Sequence, residues 1–262
     1  MRQKVSVFSI ATNIYFDYWV SLYHSAENRL FPDADVTFHV FTNRLEEKTT
    51  LGLDSKKIVF HKIEDLRWPE ATLKRYELIV NEMSHIDADV LMYLDADMLI
   101  NDVVHLTSII DISKDKMVLV RHPGFWRPRF KDRPFFYLGN LVTMVKDIMF
   151  KIKIGGIGAW ETNDKSKAFV SRKNRKWYYC GGIWLGQKDA VLNLAQNLYN
   201  NVSRDFENNI TAVWHDESHL NCWASKNLFK ELSPTYCFAE GYRNLDGLIG
   251  RITAVEKDIK TR

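Results

Sequence analysis

The sequence predicts an α/β fold built on a mostly parallel sheet with helices on both faces, and three features predict it. Short strand-like apolar runs alternate with amphipathic helical stretches along the first half of the chain. Of 262 residues, 46% are apolar, enough for a substantial core. No internal repeat, low-complexity linker or shift of composition divides the sequence, so one domain is expected over 1–262.

The first element is the run Val5-Ser6-Val7-Phe8-Ser9-Ile10, a core strand too short to cross a membrane and a better strand than signal sequence. A helical pattern follows over 18–30, then strands at Val36–Thr42 and Ile58–His61. A second helix is expected over 71–85, and strands at Val90–Leu94 and Met117–Val120. In such sheets ligands gather at the carboxyl ends of the strands. The residues after Leu94 therefore carry most weight, and they are Asp95-Ala96-Asp97.

Charge and cysteines narrow the function. Thirty-six Lys and Arg against 33 Asp and Glu give a net charge of +3, too small for the basic face that nucleic acid requires. Cys180, Cys222 and Cys237 lack CxxC spacing, so neither a disulfide framework nor a zinc finger is indicated, and a reducing, cytoplasmic setting is expected. In that setting the sequons Asn201-Val202-Ser203 and Asn209-Ile210-Thr211 carry no glycans.

Two carboxylates one residue apart at a strand end can converge on one divalent cation through hard oxygen ligands. The same pair also serves as turn residues or helix caps. Haloacid dehalogenase-type phosphatases place Asp-x-Asp after an apolar strand too, with the first Asp as nucleophile, but near the amino terminus and followed by Thr or Val. Met98 and the mid-chain position count against that alternative. A second cluster is Trp214-His215-Asp216-Glu217-Ser218-His219-Leu220-Asn221. His215 and His219 are four apart, as in helical zinc sites, yet the glutamate is misplaced for that motif and no third ligand is apparent. A plain helix start, with Asp216 and Glu217 favoured by the macrodipole and His219 packed, is the simpler reading of this cluster alone.

Taken in order, Asp95-Ala96-Asp97, His122-Pro123-Gly124-Phe125-Trp126, Trp177-Tyr178-Tyr179-Cys180-Gly181-Gly182-Ile183-Trp184, the Trp214–Asn221 block and Leu232-Ser233-Pro234-Thr235-Tyr236-Cys237 resemble the family 6 glycosyltransferases. That family includes the blood-group A and B transferases, the α-1,3-galactosyltransferase and bacterial and viral relatives. The resemblance implies a GT-A fold and retaining transfer of GalNAc or Gal from a UDP-sugar to a galactose-containing glycan, with an α-1,3 linkage. It assigns Mn²⁺ to Asp95 and Asp97, with Ala96 between them at the donor. Phe8, Ile10 and Tyr15 match the uridine pocket, and Arg75 and Lys257 match donor-binding basic residues, with Arg262 as a second carboxyl-terminal candidate. Asp216 matches a residue that bonds the donor sugar, and Glu217 matches the carboxylate at its reactive face. His122, Trp126, Trp214 and His215, with Glu217, match acceptor-side positions. Without the resemblance, Arg75 reads as a solvated helix residue.

The stretch Cys180-Gly181-Gly182 falls where the family sets donor choice, and the two glycines tilt it towards UDP-GalNAc. Vertebrate relatives carry a membrane anchor and stem that this chain does not show, so a soluble protein is expected. Around 127–159 the chain holds an inserted element, including Leu141-Val142-Thr143-Met144-Val145 and Ile148-Met149-Phe150, which reads either as an amphipathic helix contacting acceptor, membrane or another subunit or, the simpler expectation, as an additional packed piece. The basic run from Lys165 to Lys176 is expected to be a solvated loop. A fold retained for glycan or nucleotide-sugar binding without turnover is the alternative from another class.

Overall fold

The computed structural model describes residues 2–48, 57–66, 70–128, 135, 141–239 and 248–255. Its centre is a seven-stranded sheet whose parallel half comes from the runs rich in β-branched and aromatic residues near the amino terminus: β1 (Lys4–Ile10), β2 (Asp35–Thr42), β3 (Ile58–Lys62) and β4 (Val90–Leu94). β5 (Met98–Ile100) leaves this sheet, and β6 (Met117–Arg121), β7 (Tyr179–Gln187) and β8 (Lys230–Leu232) complete it. The order is β3-β2-β1-β4-β7-β6-β8, with β7 antiparallel to both neighbours and the other pairings parallel. β5, β9 (Phe238–Ala239) and β10 (Ile252–Ala254) form a second, three-stranded sheet.

Alternation along the strands divides the core into two layers. Val5 and Val7 of β1 with Val90, Met92 and Leu94 of β4 face one layer, while Phe8, Leu91 and Tyr93 face the other. Helix α1 (Tyr15–Ala26) closes the first, because Phe16, Trp19, Tyr23 and Ala26 recur at helical spacing and are all buried. Phe16 and Trp19 stack at 5.8 Å, as do Trp19 and Tyr23. On the other layer lie α2 (Glu70–Leu73), α3 (Arg75–Met83), a 20-residue helix labelled below as α6 (Lys188–Glu207), and α7 (His215–Ala224). Two helices intervene in the chain, α4 (Leu106–Ile109) and α5 (Leu141–Lys153).

All the expected strands form. The first helix is displaced, Tyr15–Ala26 against 18–30, and the second is divided at Lys74 into α2 and α3. Two expectations fail. The inserted segment holds a helix, α5, whose apolar side chains face solvent instead of packing. The basic run is only partly solvated, since Ser166, Ala168, Val170 and Arg175 are buried and Arg175 donates from Nε to the Val170 carbonyl at 2.8 Å. The cysteines are all buried and unpaired.

Candidate active site

Strand β4 is buried along its whole length and ends at Leu94, so Asp95-Ala96-Asp97 emerges at its carboxyl edge, beside β7. The Asp95 N–H donates to the Gly182 carbonyl (2.8 Å), which fixes this turn on β7. The turn is also held from the small sheet, where the Val255 N–H donates to the Asp97 carbonyl (2.8 Å). Asp97 is 6% exposed and Asp95 keeps a partly exposed carboxylate.

Arg75 crosses this edge. It is the first residue of α3 and shares a helical face with the buried Ile79 and Met83, so its side chain points inward and is 4% exposed. Its Nη1 lies 2.7 Å from Asp216 Oδ2 and donates to the Gly181 carbonyl at 2.9 Å, and its Nη2 donates to Asp95 Oδ1 at 3.3 Å. The guanidinium carbon sits 4.2 Å from the centroid of the Tyr93 ring, a cation–π contact. Burial works against this charge, but Asp216, Tyr93 and Asp95 raise its pKa on balance. Its Nε is buried without a hydrogen-bond partner among the described residues.

Helix α7 delivers the other two carboxylates. Asn221 pins it to β7 by accepting from the Tyr179 N–H and donating to the Tyr179 carbonyl, both at 2.9 Å. Glu217 Oε2 accepts the Gly181 N–H at 2.8 Å, and the Tyr76 hydroxyl donates to the Asp216 carbonyl at 3.0 Å. Asp216 is buried, whereas Glu217 keeps an accessible edge. Enclosure pushes the Glu217 carboxyl up to about 7, against the Gly181 amide and Tyr178 hydroxyl that favour its ionised form. Asp216 also rises to about 7, because burial, with Asp95 and Glu217 close by, outweighs the Arg75 guanidinium.

The neighbours leave little space beside Gly181 and Gly182 of β7. A Cβ on Gly181 would lie 3.0 Å from Asp216 Oδ2 and 3.1 Å from Glu217 Cβ, and one on Gly182 would run into the Asp95 carboxylate and lie 3.1 Å from Met98 Cε. Cys180, just before them, turns into the α1-side core layer.

The structure brings Arg75, Asp95, Gly181, Gly182, Asp216 and Glu217 into one cluster, with Ala96 and Asp97 on the adjoining turn. Phe8 belongs to the core beneath, 5.4 Å from the Tyr93 ring and 5.9 Å from Trp184, and Ile10 is half-buried at the end of the same strand. Tyr15 opens α1, half-buried, its ring 5.9 Å from that of Tyr18. On the other side, the His122 N–H donates to the Tyr178 carbonyl (3.0 Å), and enclosure pulls its imidazole down to about 4. Trp126 is half-buried after the turn that His122 opens, and its carbonyl accepts from Arg127 Nη1 at 2.6 Å. Trp214 is largely exposed, and its carbonyl accepts the Glu217 N–H at 3.0 Å. His215 starts α7 with φ of +46°, the left-handed region that a non-glycine residue rarely adopts and that recurs at functional sites. His219 is buried 3.6 Å from Asp205. Lys257 and Arg262 lie outside the described residues.

Four residues of the cluster were not singled out from sequence: Tyr76, Tyr93, Tyr178 and Asn221. Each is a buried polar side chain within an apolar run or the α7 block, and a buried tyrosine hydroxyl ordinarily has a partner. That rule marks Tyr93, which donates to Asp95 Oδ1 at 2.6 Å.

Asp95, Asp216 and Glu217 thus crowd the buried Arg75 guanidinium, with Asp97 on the adjoining turn. This excess of carboxylates suits a divalent cation, and the hard oxygens of Asp95 and Asp97 are ligands of the type that Mn²⁺ or Mg²⁺ takes. Among the described residues no group of three or more His, Cys, Asp or Glu side chains forms a complete cage, so a cation here would draw further ligands from a bound anion or water.

Comparison with known proteins points to glycosyltransferases. The model for glycosyltransferase family 6 matches residues 129–261. Histo-blood group ABO system transferase 1 of Rattus norvegicus is 28% identical over 218 residues, 81% of this chain and 54% of that protein. Globoside alpha-1,3-N-acetylgalactosaminyltransferase 1 of Homo sapiens is 26% identical over 97% of this chain and 66% of its own length. The O-antigen biosynthesis glycosyltransferase WbnI of Escherichia coli is 22% identical over 91% of this chain and 89% of its own. The chain spans about half the length of the ABO-type relatives it matches. Among the described residues no helix is long and apolar enough to cross a membrane.

Proposed function

Since this chain belongs to glycosyltransferase family 6, we propose that it is a retaining transferase moving GalNAc or Gal from a UDP-sugar to a galactose-containing glycan, forming an α-1,3 linkage, and that residues 1–262 act as a single GT-A domain. The observation that carries this reading is the Glu217 carboxylate, anchored on the Gly181 amide and partly exposed, beside a buried Arg75 and the Asp-x-Asp turn. The similarity to a globoside alpha-1,3-N-acetylgalactosaminyltransferase supports a GalNAc donor and the α-1,3 linkage.

In this reading Asp95 and Asp97 hold Mn²⁺, which when bound neutralises charge on the departing diphosphate. Arg75, its Nε lacking a protein partner among the described residues, supplies fixed positive charge to the donor, and Asp216 orients the sugar. Glu217 stabilises positive charge developing at the anomeric carbon, either by bonding to it or by facing it while the acceptor enters on the side the leaving group departs. Ile10 and Tyr15 serve the uridine, with the Phe8 ring buried in the core beneath, and Lys257 serves the diphosphate. His122, Trp126, Trp214 and His215 serve the acceptor, with the His122 imidazole held neutral by its enclosure and its Nδ1 accepting the Gly124 N–H at 3.1 Å.

The test is a donor screen, measuring UDP release and glycan mass from UDP-GalNAc, UDP-Gal, UDP-Glc and UDP-GlcNAc with and without Mn²⁺. UDP-GalNAc or UDP-Gal turnover that needs the metal and fails in Asp97→Asn is expected, and full turnover in EDTA would remove the metal from the proposal. Gly182→Ala is expected to weaken UDP binding as well as change the donor ratio, because the new methyl displaces Asp95.

A further inference from the structure

Helix α5 inverts the partition expected of a surface helix. Leu141, Val142, Val145, Ile148, Met149 and Ile152 are 48–70% exposed, and positions 141, 145, 148 and 152 recur at helical spacing on one side. Lys151 borders this apolar arc on one edge, and Lys146 and Lys153 border it on the other, all three exposed. Asp147, the sole acidic residue of the helix, is buried on the opposite face, where Arg127 grips it with two bonds, Nε to Oδ2 at 2.8 Å and Nη2 to Oδ1 at 2.9 Å. Phe150 packs edge-on against Phe125 at 6.0 Å, and Arg172 Nη2 donates to the carbonyls of Ile152 (3.2 Å) and Lys153 (2.7 Å). The helix is therefore held from beneath and cannot roll its apolar side inward without releasing a buried carboxylate.

We propose that this outward face of α5 docks on an anionic lipid surface, the helix lying flat with its apolar arc at the acyl boundary and its lysines at the headgroups. With 13 residues the helix is about 20 Å long, far short of a span but suited to interfacial binding. Lysines on both edges, with no carboxylate on the exposed side, complement phosphate headgroups, and their stems extend along the apolar surface. A second copy is the poorer occupant, because two such faces brought together would oppose lysine to lysine with no acidic partner. The underside of the helix packs on the Phe125–His122 turn, so α5 would lie between the membrane and the proposed acceptor residue His122.

Vesicle flotation tests this with full-length protein, using phosphatidylcholine vesicles and vesicles in which about a third of the lipid is phosphatidylglycerol. Binding to the anionic vesicles that weakens with salt is expected, with a loss of about tenfold or more in Ile148→Glu/Ile152→Glu. Lys146→Gln/Lys151→Gln/Lys153→Gln is expected to lose the preference for anionic lipid. All five changes are at exposed side chains, and melting temperatures near wild type would show that the variants are folded. Absence of vesicle binding, or binding that neither variant alters, would overturn the proposal. So would a wild-type dimer in sedimentation equilibrium that Ile148→Glu/Ile152→Glu converts to monomer while vesicles remain unbound. None of these readings uses donor turnover, so they stand or fall apart from the transferase activity.

Discussion

Around Arg75 the protein buries charge, and along Leu141–Lys153 it exposes hydrocarbon. Each arrangement is costly in an isolated chain in water. At the first, the cost is offset by hydrogen bonds that the fold itself supplies, from Gly181, Tyr93 and Tyr76. At the second nothing in the described protein covers the apolar side chains, and only the polar underside is satisfied, by Arg127 and Arg172. The contrast separates a feature completed within the chain from one that points to something outside it.

The largest effect is expected at Arg75. Its removal leaves the buried Asp216 and the half-buried Asp95 without their cation, so Arg75→Ala should lower stability by about 3–5 kcal/mol in chemical denaturation. Arg75→Ala with wild-type stability would mean that the cluster is not held together by this charge. Next, Glu217→Gln keeps nearly the same shape and the acceptor for the Gly181 amide, so it should cut kcat by roughly 100-fold or more while UDP affinity stays near wild type. A normal rate would leave Glu217 as a helix-start residue only.

A smaller effect concerns pH. The folded Glu217 carboxyl titrates near about 7, above its usual 4.5, so the folded protein retains a proton that the unfolded chain has released. Stability from this group is full below the unfolded pKa and is lost as pH rises through the folded one. In metal-free protein it should therefore contribute a loss of about 1–3 kcal/mol between roughly pH 5 and 8, and Glu217→Gln should flatten that slope. Denaturant titrations across this range on both proteins would show it, and parallel slopes would refute it. The smallest effect is expected at α5, where Ile148→Glu/Ile152→Glu should change stability by less than about 0.5 kcal/mol per site, since neither side chain contributes to the core. A larger loss would mean that the face is packed in solution.

Much of this was legible in the sequence, unevenly. The parallel strands were, because buried strands read as continuous apolar runs, and the pair Asp95 and Asp97 was, because carboxylates closing such a run are conspicuous; Asp216 and Glu217 stood out only through the family resemblance, since their own block reads as a plain helix start. The reversal of β7 and the small sheet were not, since strands of two or three residues have no periodicity and pairing across the chain leaves no local mark. Arg75 shows a signal misjudged: its spacing from Ile79 and Met83 places it on the buried face, but a charged residue at the start of a helix is ordinarily solvated. In α5 the pattern was amphipathic as read, and only the structure gives the direction in which the apolar side faces.

Gly181 has a further consequence. Its N–H holds Glu217 and its carbonyl holds Arg75, so the carboxylate and the guanidinium are registered on the two ends of one residue. Their separation is set by covalent backbone geometry in a central strand, not by rotamers that thermal motion can exchange. The strand acts as a ruler, and a Cβ on Gly181, 3.0 Å from Asp216 Oδ2 and 3.1 Å from Glu217 Cβ, would press on the carboxylates that it positions. The spacing of the two charges is therefore tied to the strand more closely than to any side chain around it.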